Sequence, residues 1–195
     1  ITTISDQLLK QSSISVENWI RGELSGAIRR AVDSAVLSGN GGSITGILST
    51  AGVTDVTFAG GPTRAKLIEM QTAINNSNAD VEKMCWLTNP DIVGILRELR
   101  ADAGSGQFVM SEKDMLLGYK LIMSTLVPTN IATDKNAIVF GNFDHCVIAQ
   151  WGGVDLGVDP YTLMANAQIR IIANSYWDSE VIHAKSFSKG DDVVG

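Results

Sequence analysis

Leu117-Gly118-Tyr119-Lys120, Phe140-Gly141-Asn142-Phe143 and Trp151-Gly152-Gly153-Val154 follow one another along one tract, and their reading decides the fold. Each sets glycine against bulky apolar residues, the composition of short strands meeting turns. Leu121-Ile122-Met123 and Ile138-Val139-Phe140 read as short apolar strands. Val147-Ile148-Ala149 and Val154-Asp155-Leu156-Gly157-Val158 flank Gly152-Gly153, the dipeptide of a tight hairpin. In the second arm Val154, Leu156 and Val158 alternate with Asp155 and Gly157, which predicts one buried face and one wet face. A longer strand is expected from Gln168 to Ala173 and a last one from Val181 to Ala184, linked by Tyr176-Trp177-Asp178-Ser179. Lys189-Gly190-Asp191-Asp192 reads as a frayed polar tail.

Upstream of this tract the periodicity changes. From Ser15 to Leu37 the residues Val16, Ile20, Leu24, Ile28, Ala31 and Ala35 recur at spacings of three and four, which predicts one long amphipathic helix. Its other side carries Glu17 with Arg21 and Arg29 with Asp33, each pair four apart, a solvated or interfacial face. Gly22 and Gly26 interrupt it at a cost of about 1 kcal/mol each, so another element is expected to pack closely there. The loop Ser38-Gly39-Asn40-Gly41-Gly42-Ser43 lacks the preceding strand, the following helix and the Gly-Lys-Ser/Thr ending of a phosphate cradle. Pro62 is expected to begin a second helix running through Ile74, with Leu67, Met70 and Ile74 on one side, before Asn75-Asn76-Ser77-Asn78 breaks it. Met84-Cys85-Trp86-Leu87 reads as a buried strand. Asn89-Pro90 is an N-cap with a first-turn proline for a third helix, carrying Ile92, Val93, Leu96 and Leu99 inward and ending near Ala103-Gly104. Helices and short strands without regular alternation make the expected class α+β.

At 195 residues and 45% hydrophobic the chain can bury a sizeable core. No apolar run approaches the roughly 18 residues of a membrane-spanning helix. Ile1-Thr2-Thr3-Ile4-Ser5-Asp6 has neither an initiator methionine nor a signal pattern, and the chain reads as a fragment or a processed product. Cys85 and Cys146 lie inside apolar runs, as free buried thiols do, and are not expected to pair. A net charge of −6 opposes tight nucleic-acid binding, and no basic patch with interleaved aromatics appears.

In order, these motifs resemble the major capsid proteins of tailed bacteriophages. In that family a Leu-Gly-aromatic strand opener is followed by a variable loop, an apolar strand ending in Phe-Gly-Asp/Asn-Phe, and a Gly-centred hairpin. A long helix ending in Leu-x-Gly-x-Gly before a Gly-Ile-Leu segment, here Gly46-Ile47-Leu48, and an Asn-Pro helix start fit the same pattern. The resemblance runs from Asp6 through Phe187 and implies the Hong Kong 97-like capsid fold, in a fragment expected to lack the N-terminal arm and extended loop that family members carry upstream. It implies two domains visited twice: a peripheral one from residues 1–48 and 144–178, and an axial one from 49–143 and 179–195.

The function implied is that of a structural subunit, not an enzyme, forming pentamers and hexamers that enclose double-stranded DNA in a virion assembled in the bacterial cytoplasm. Scaffold, maturation protease and portal proteins are the implied partners, and no cofactor or membrane is. Acidity suits a container wall that must not hold its DNA. Expressed alone, the fragment is expected to be a monomer or a weak oligomer. Glu17, Arg21, Arg29 and Arg30 on the long helix are the candidate inter-subunit charges, and the Gly104-Ser105-Gly106 and Thr129-Asn130 loops the candidate axial contacts. Some family members weld subunits through a Lys–Asn isopeptide bond, the lysine lying on the extended loop. Asn166 lies in the acceptor region, but no motif marks it, and cross-linking stays open. An encapsulin-type compartment shares the fold and is the alternative. A soluble α+β enzyme using His145 or Cys146 is the remote one. Against it, adjacent strand residues point to opposite faces, zinc prefers spaced ligand pairs, and no Gly-x-Ser-x-Gly elbow occurs. Asp155 and Asp159 read as solvated and turn-forming residues.

Overall fold

A computed structural model describes the chain except residues 12–15, 40–43, 78–82, 103, 105, 111, 130, 132 and 133, and except the side chains of Leu9 and Glu17. Ser15, Asn40 to Ser43, Asn78 and Ala103, which enter the readings above, therefore lie outside the described residues. The elements are β1 (Thr2–Ser5), α1 (Asp6–Gln11), α2 (Val16–Ser38), β2 (Thr54–Asp55), α3 (Arg64–Asn75), β3 (Met84–Thr88), α4 (Pro90–Glu98), β4 (Met115–Leu116), β5 (Tyr119–Met123), β6 (Lys135–Asn142), β7 (Cys146–Asp159), β8 (Gln168–Val181) and β9 (Phe187–Val194).

Two compact units result: Ile1–Asp33 with Ala149–Asp178, and Ser34–Ile148 with Ser179–Gly195. The chain thus divides after residues 33, 148 and 178, where the sequence reading placed divisions after 48, 143 and 178. The last turn of α2 belongs to the second unit because the chain folds straight back on it. Ile47 N–H donates to the Val36 carbonyl and Leu48 N–H to that of Leu37, both at 2.9 Å, and all four side chains are buried.

The first unit holds a three-stranded sheet in the order β1-β8-β7. β1 runs antiparallel to β8, with Thr2 opposite Ile171 and Ser5 opposite Gln168. β7 is one strand of 14 residues, not two arms of a hairpin. Gly152 has a positive φ (+72°), but the strand continues without a break through both glycines. β8 likewise runs unbroken through Tyr176-Trp177-Asp178-Ser179, the predicted linker.

The second unit is built on a six-stranded sheet in the order β2-β9-β6-β3-β5-β4. β3 and β5 are parallel, and β3 and β6 antiparallel, with Trp86 opposite Phe140. The true two-residue hairpin is Leu117-Gly118, with φ of +49° and +85°, joining β4 to β5. Trp86, Phe140 and Phe187 are fully buried, and Phe140 packs on Trp86 (ring centroids 4.3 Å) and edge-on to Tyr119 (5.1 Å). α3 presents Leu67, Met70 and Ile74 to this core, and α4 presents Ile92, Val93 and Leu96. α3 starts two residues after Pro62, because Thr63 stays extended and its hydroxyl caps the Lys66 N–H. α4 stops at Glu98, ahead of the predicted end. Leu99 turns extended, and Ala101 N–H to the Gln107 carbonyl and Val109 N–H to that of Leu99 make the next stretch a hairpin.

The segment read as a frayed tail is β9, paired antiparallel with β6 and parallel with β2. Its polar residues are used inward. Lys189 Nζ donates to the Leu48 carbonyl (2.7 Å) and meets Asp191 (3.2 Å), and Gly190 lies under the Phe58 ring. The Asp192 carboxylate accepts the N–H groups of Phe58 (2.8 Å) and Ala59 (2.9 Å). Burial pushes that carboxyl up, but the two N–H donors and the Lys135 charge outweigh it and hold it below its usual range. A carboxylate depressed on folding contributes stability that is present above its unfolded pKa, about 3.9, and is lost as pH falls through the lower folded value. Asp55 runs the other way: burial, with Asp191 and Asp192 adding to it against the pull of Lys189, raises it. The expected result is therefore read by difference. Asp192→Asn should be less stable than wild type at pH 7 in urea unfolding, with the gap closing below pH 4. A gap that persists at pH 2 would show that the clamp does not depend on the charge.

Candidate functional site

Burial is divided very unevenly between the units. Among the described residues of the first unit the buried hydrophobic side chains are Ile20 and Ile171, and the rest of the buried core belongs to the second. Among its described residues the first unit exposes Trp19 (64%), Trp151 (58%), Tyr161 (81%), Met164 (71%) and Tyr176 (65%), with little buried core of its own beside them.

The same sparseness holds along α2. Leu24 and Ile28 on the predicted apolar face are only half-buried, and Ala31 is exposed. A Cβ at Gly22 would meet nothing within 4 Å, and at Gly26 only the Arg30 guanidinium of the same helix, at 3.5 Å. The element expected to pack on these glycines is therefore not among the described residues of this chain. Arg21, Arg29 and Arg30 are exposed on α2, and Glu17 lies in its first turn with its side chain outside the described residues.

The two loops belong to the second unit. Gly104 and Gly106 sit exposed on the 101–107 hairpin, where Gly104 N–H donates to Asp102 (2.9 Å) and Gly106 has φ of +67°; Ser105 lies outside the described residues. Thr129 is exposed on the loop that Ala137 N–H to the Pro128 carbonyl and Ile131 N–H to that of Lys135 close onto β6; Asn130 lies outside the described residues. The candidate contacts thus fall on three separate elements.

The residues weighed for chemistry are arranged for structure. Burial pushes both thiols above the usual cysteine range, with Lys120 opposing and Asp144 adding to it at Cys85, so neither is poised as a thiolate. Both are free. Asp159 accepts from the hydroxyl and N–H of Thr162 and the N–H of Tyr161, contacts that hold it below the usual carboxylate range and close the turn after β7. Sequence reasoning missed that His145 and His183, 38 positions apart, meet with ring centroids 4.9 Å apart; only the return of β8 beside β7 brings them together. His145 Nδ1 lies 2.7 Å from Ser186 Oγ, but Ser186 is 2% exposed and out of reach of any substrate. Among the described residues no group of three His, Cys, Asp or Glu is placed to hold a metal, and no helix is long and apolar enough to cross a membrane.

The chain is 28% identical over 165 residues to the major capsid protein of Halomonas phage phiHAP-1, a match covering 84% of this chain and 26% of that protein's length. The capsid of an empty GTA particle superposes with a TM-score of 0.78 at 19% identity, covering 99% of this chain and 71% of that one. The SrpI encapsulin of Synechococcus elongatus PCC 7942 superposes with a TM-score of 0.70 at 16% identity, covering 98% of this chain and 71% of that one. These likenesses place the architecture in the Hong Kong 97-like capsid fold. The phage capsid family model matches residues 1–192, so this chain belongs to the phage capsid family, whose capsid proteins build oligomeric shells and are structural, not enzymatic.

Proposed function

We propose that this chain is the shell-forming part of a phage or prophage major capsid protein, assembling into pentamers and hexamers around double-stranded DNA as a component of the virion. The observation that carries this reading is the first unit's burial: among its described residues Ile20 and Ile171 are the buried hydrophobic side chains, while Trp19, Trp151, Tyr161 and Tyr176 are exposed. Such a unit gains its missing burial from neighbouring copies, at about 25 cal/mol per Å² of apolar surface covered. On this reading the first unit is the peripheral domain and the second the axial domain, with the 101–107 hairpin and the Thr129 loop at the symmetry axes. Scaffold, maturation protease and portal would act during assembly in the bacterial cytoplasm. An encapsulin-type compartment remains the second reading because that fold superposes almost as well, and the contents of the particle separate the two.

Negative-stain electron microscopy of the complete parent gene product tests the proposal. Shells or capsomer rings are the expected result, with DNA rather than cargo enzyme inside when the phage proteins are co-expressed. Persistent monomers with scaffold and protease present would overturn it.

The exposed α2 charges give a sharper test. Arg29→Glu with Arg30→Glu should leave the stability of the isolated chain within about 0.5 kcal/mol, as exposed substitutions do. The same pair should abolish or strongly reduce particle formation by the full-length protein. Normal particles would remove both arginines from the interface.

A further inference from the structure

Residues 46–60 carry the chain from the end of α2 toward α3, and their regular structure is the two-residue β2, paired parallel with Ser188 and Lys189 at the edge of the six-stranded sheet. Side chains of β9 hold this connector at both ends. Near its start Lys189 Nζ donates to the Leu48 carbonyl (2.7 Å), with Asp191 at 3.2 Å and Asp55 at 3.8 Å around the same ammonium. Near its end the Asp192 carboxylate takes both the Phe58 and the Ala59 N–H. The register of β9 on β6 changes from Gly190 opposite Ile138 to Val193 opposite Asn136, so Asp191 and Asp192 together face the single residue Ala137. A bulge of this kind interrupts the ladder and re-aims a side chain, here a carboxylate onto the connector. Two backbone bonds flank the clasp without using either side chain: Val56 N–H to the Lys189 carbonyl and Val194 N–H to the Gly60 carbonyl, both at 2.9 Å.

We propose that the β9 bulge is a charge-operated latch: ionised Asp192 holds the connector against the sheet, and its neutralisation lets residues 53–60 open locally while β3 and β6 stay folded. Opening units of this kind are drawn from edges with few ladder bonds, as β2 is, whereas β3 and β6 are paired on both sides. The charged groups around the latch are Lys135 on β6, Asp55 on β2, and Asp191 and Lys189 on β9 itself. Their signs separate the two carboxylates. Asp192 keeps its charge below the usual carboxylate range, because its two N–H donors and Lys135 outweigh its burial, so its hold is lost as pH falls through that lowered value. Asp55 is raised by burial and by Asp191 against the pull of Lys189, so neutralising it does not release the connector. The latch is a property of the folded chain and does not depend on assembly.

Hydrogen exchange of residues 1–195 at pH 7, read amide by amide by NMR, tests this. The deciding amides are Val56 and Val194, which Asp192 does not bond, so a mere loss of two hydrogen bonds would not move them. In Asp192→Asn both are expected to exchange about tenfold faster or more, together with Phe58 and Ala59, while Trp86 and Phe140 change less than about twofold. Asp55→Asn should leave Val56 and Val194 as protected as in the wild type or more so. Unchanged exchange at Val56 and Val194 in Asp192→Asn, or an equal rise at Trp86 and Phe140, would overturn the proposal. Should Asp192→Asn fail to fold by circular dichroism, the wild type decides: from pH 5 to pH 3, after correction for intrinsic rates, the same four amides should lose protection ahead of Trp86 and Phe140, and simultaneous loss would refute the latch.

Discussion

Gly46→Ala is expected to destabilise the second unit by roughly 3–5 kcal/mol, moving its urea midpoint well below that of the wild type. A Cβ at this position would stand 2.2 Å from the Gly39 nitrogen, 2.5 Å from the Ser38 carbonyl carbon and 2.6 Å from the Leu37 oxygen. All three are backbone atoms, so no side chain can swing aside. Relief requires pulling the 44–48 segment off the end of α2. That would break the Ile47 and Leu48 hydrogen bonds to Val36 and Leu37 and draw Ile47, fully buried, out of the core. Overpacking alone costs about 1–3 kcal/mol, each orphaned buried polar group about 1–3, and exposure of an isoleucine about 1.5–3. Relaxation shares these terms, so the sum is less than their total. Gly22→Ala is the control: with open space around it and a helical backbone, it should stabilise the isolated chain by up to about 1 kcal/mol. A Gly46→Ala protein as stable as wild type would mean that the chain does not cross so closely over α2.

Phe140→Ala should cost about 3–5 kcal/mol, the range for truncating a buried aromatic side chain. Phe140 is fully buried on β6, one of the two central strands, with Trp86 on one side and Tyr119 on another. Its removal leaves a void over the sheet face that the backbone cannot close, because β3 and β6 are held in register from Met84–Asn142 to Thr88–Ile138. The aromatic pairs add about 0.5–1.5 kcal/mol each beyond the area buried. Urea unfolding gives the magnitude, and the near-ultraviolet circular dichroism of Trp86 should lose intensity before the chain unfolds. Retention of both would contradict the packing.

These effects also mark where sequence was informative. The Asn89-Pro90 cap and the apolar strands around Trp86 and Phe140 were legible because local signals and burial agree there, while the α2 periodicity marked the helix although its apolar face is left half-covered. Hydrophobic spacing at three and four marks a helix whatever covers its apolar face, and Asn before Pro starts a helix from local hydrogen bonding alone. The Gly152-Gly153 strand and the β9 strand were misread for one shared reason. A glycine pair looks the same whether it reverses a strand or bends it, and Lys-Gly-Asp-Asp is polar whether it frays or is paired. Register decides both, and register is set by strands far away in sequence.

The assembly candidates divide in the same way. Exposed arginines on a helix and glycine-rich loops were legible as surface, but which surfaces need a partner was not. That emerges from the sparse buried core among the first unit's described residues, Ile20 and Ile171, and from the open space over Gly22, both properties of how much chain is nearby. The sequence by itself determined the α+β class, the long helix, the helix caps and the family, since these rest on periodicity, short-range hydrogen bonding and motif order. Only the tertiary structure decided that the polar terminus is a core strand, that two histidines far apart share one contact, and that one unit is left half-uncovered. Each of these depends on non-local pairing, which no window of sequence contains.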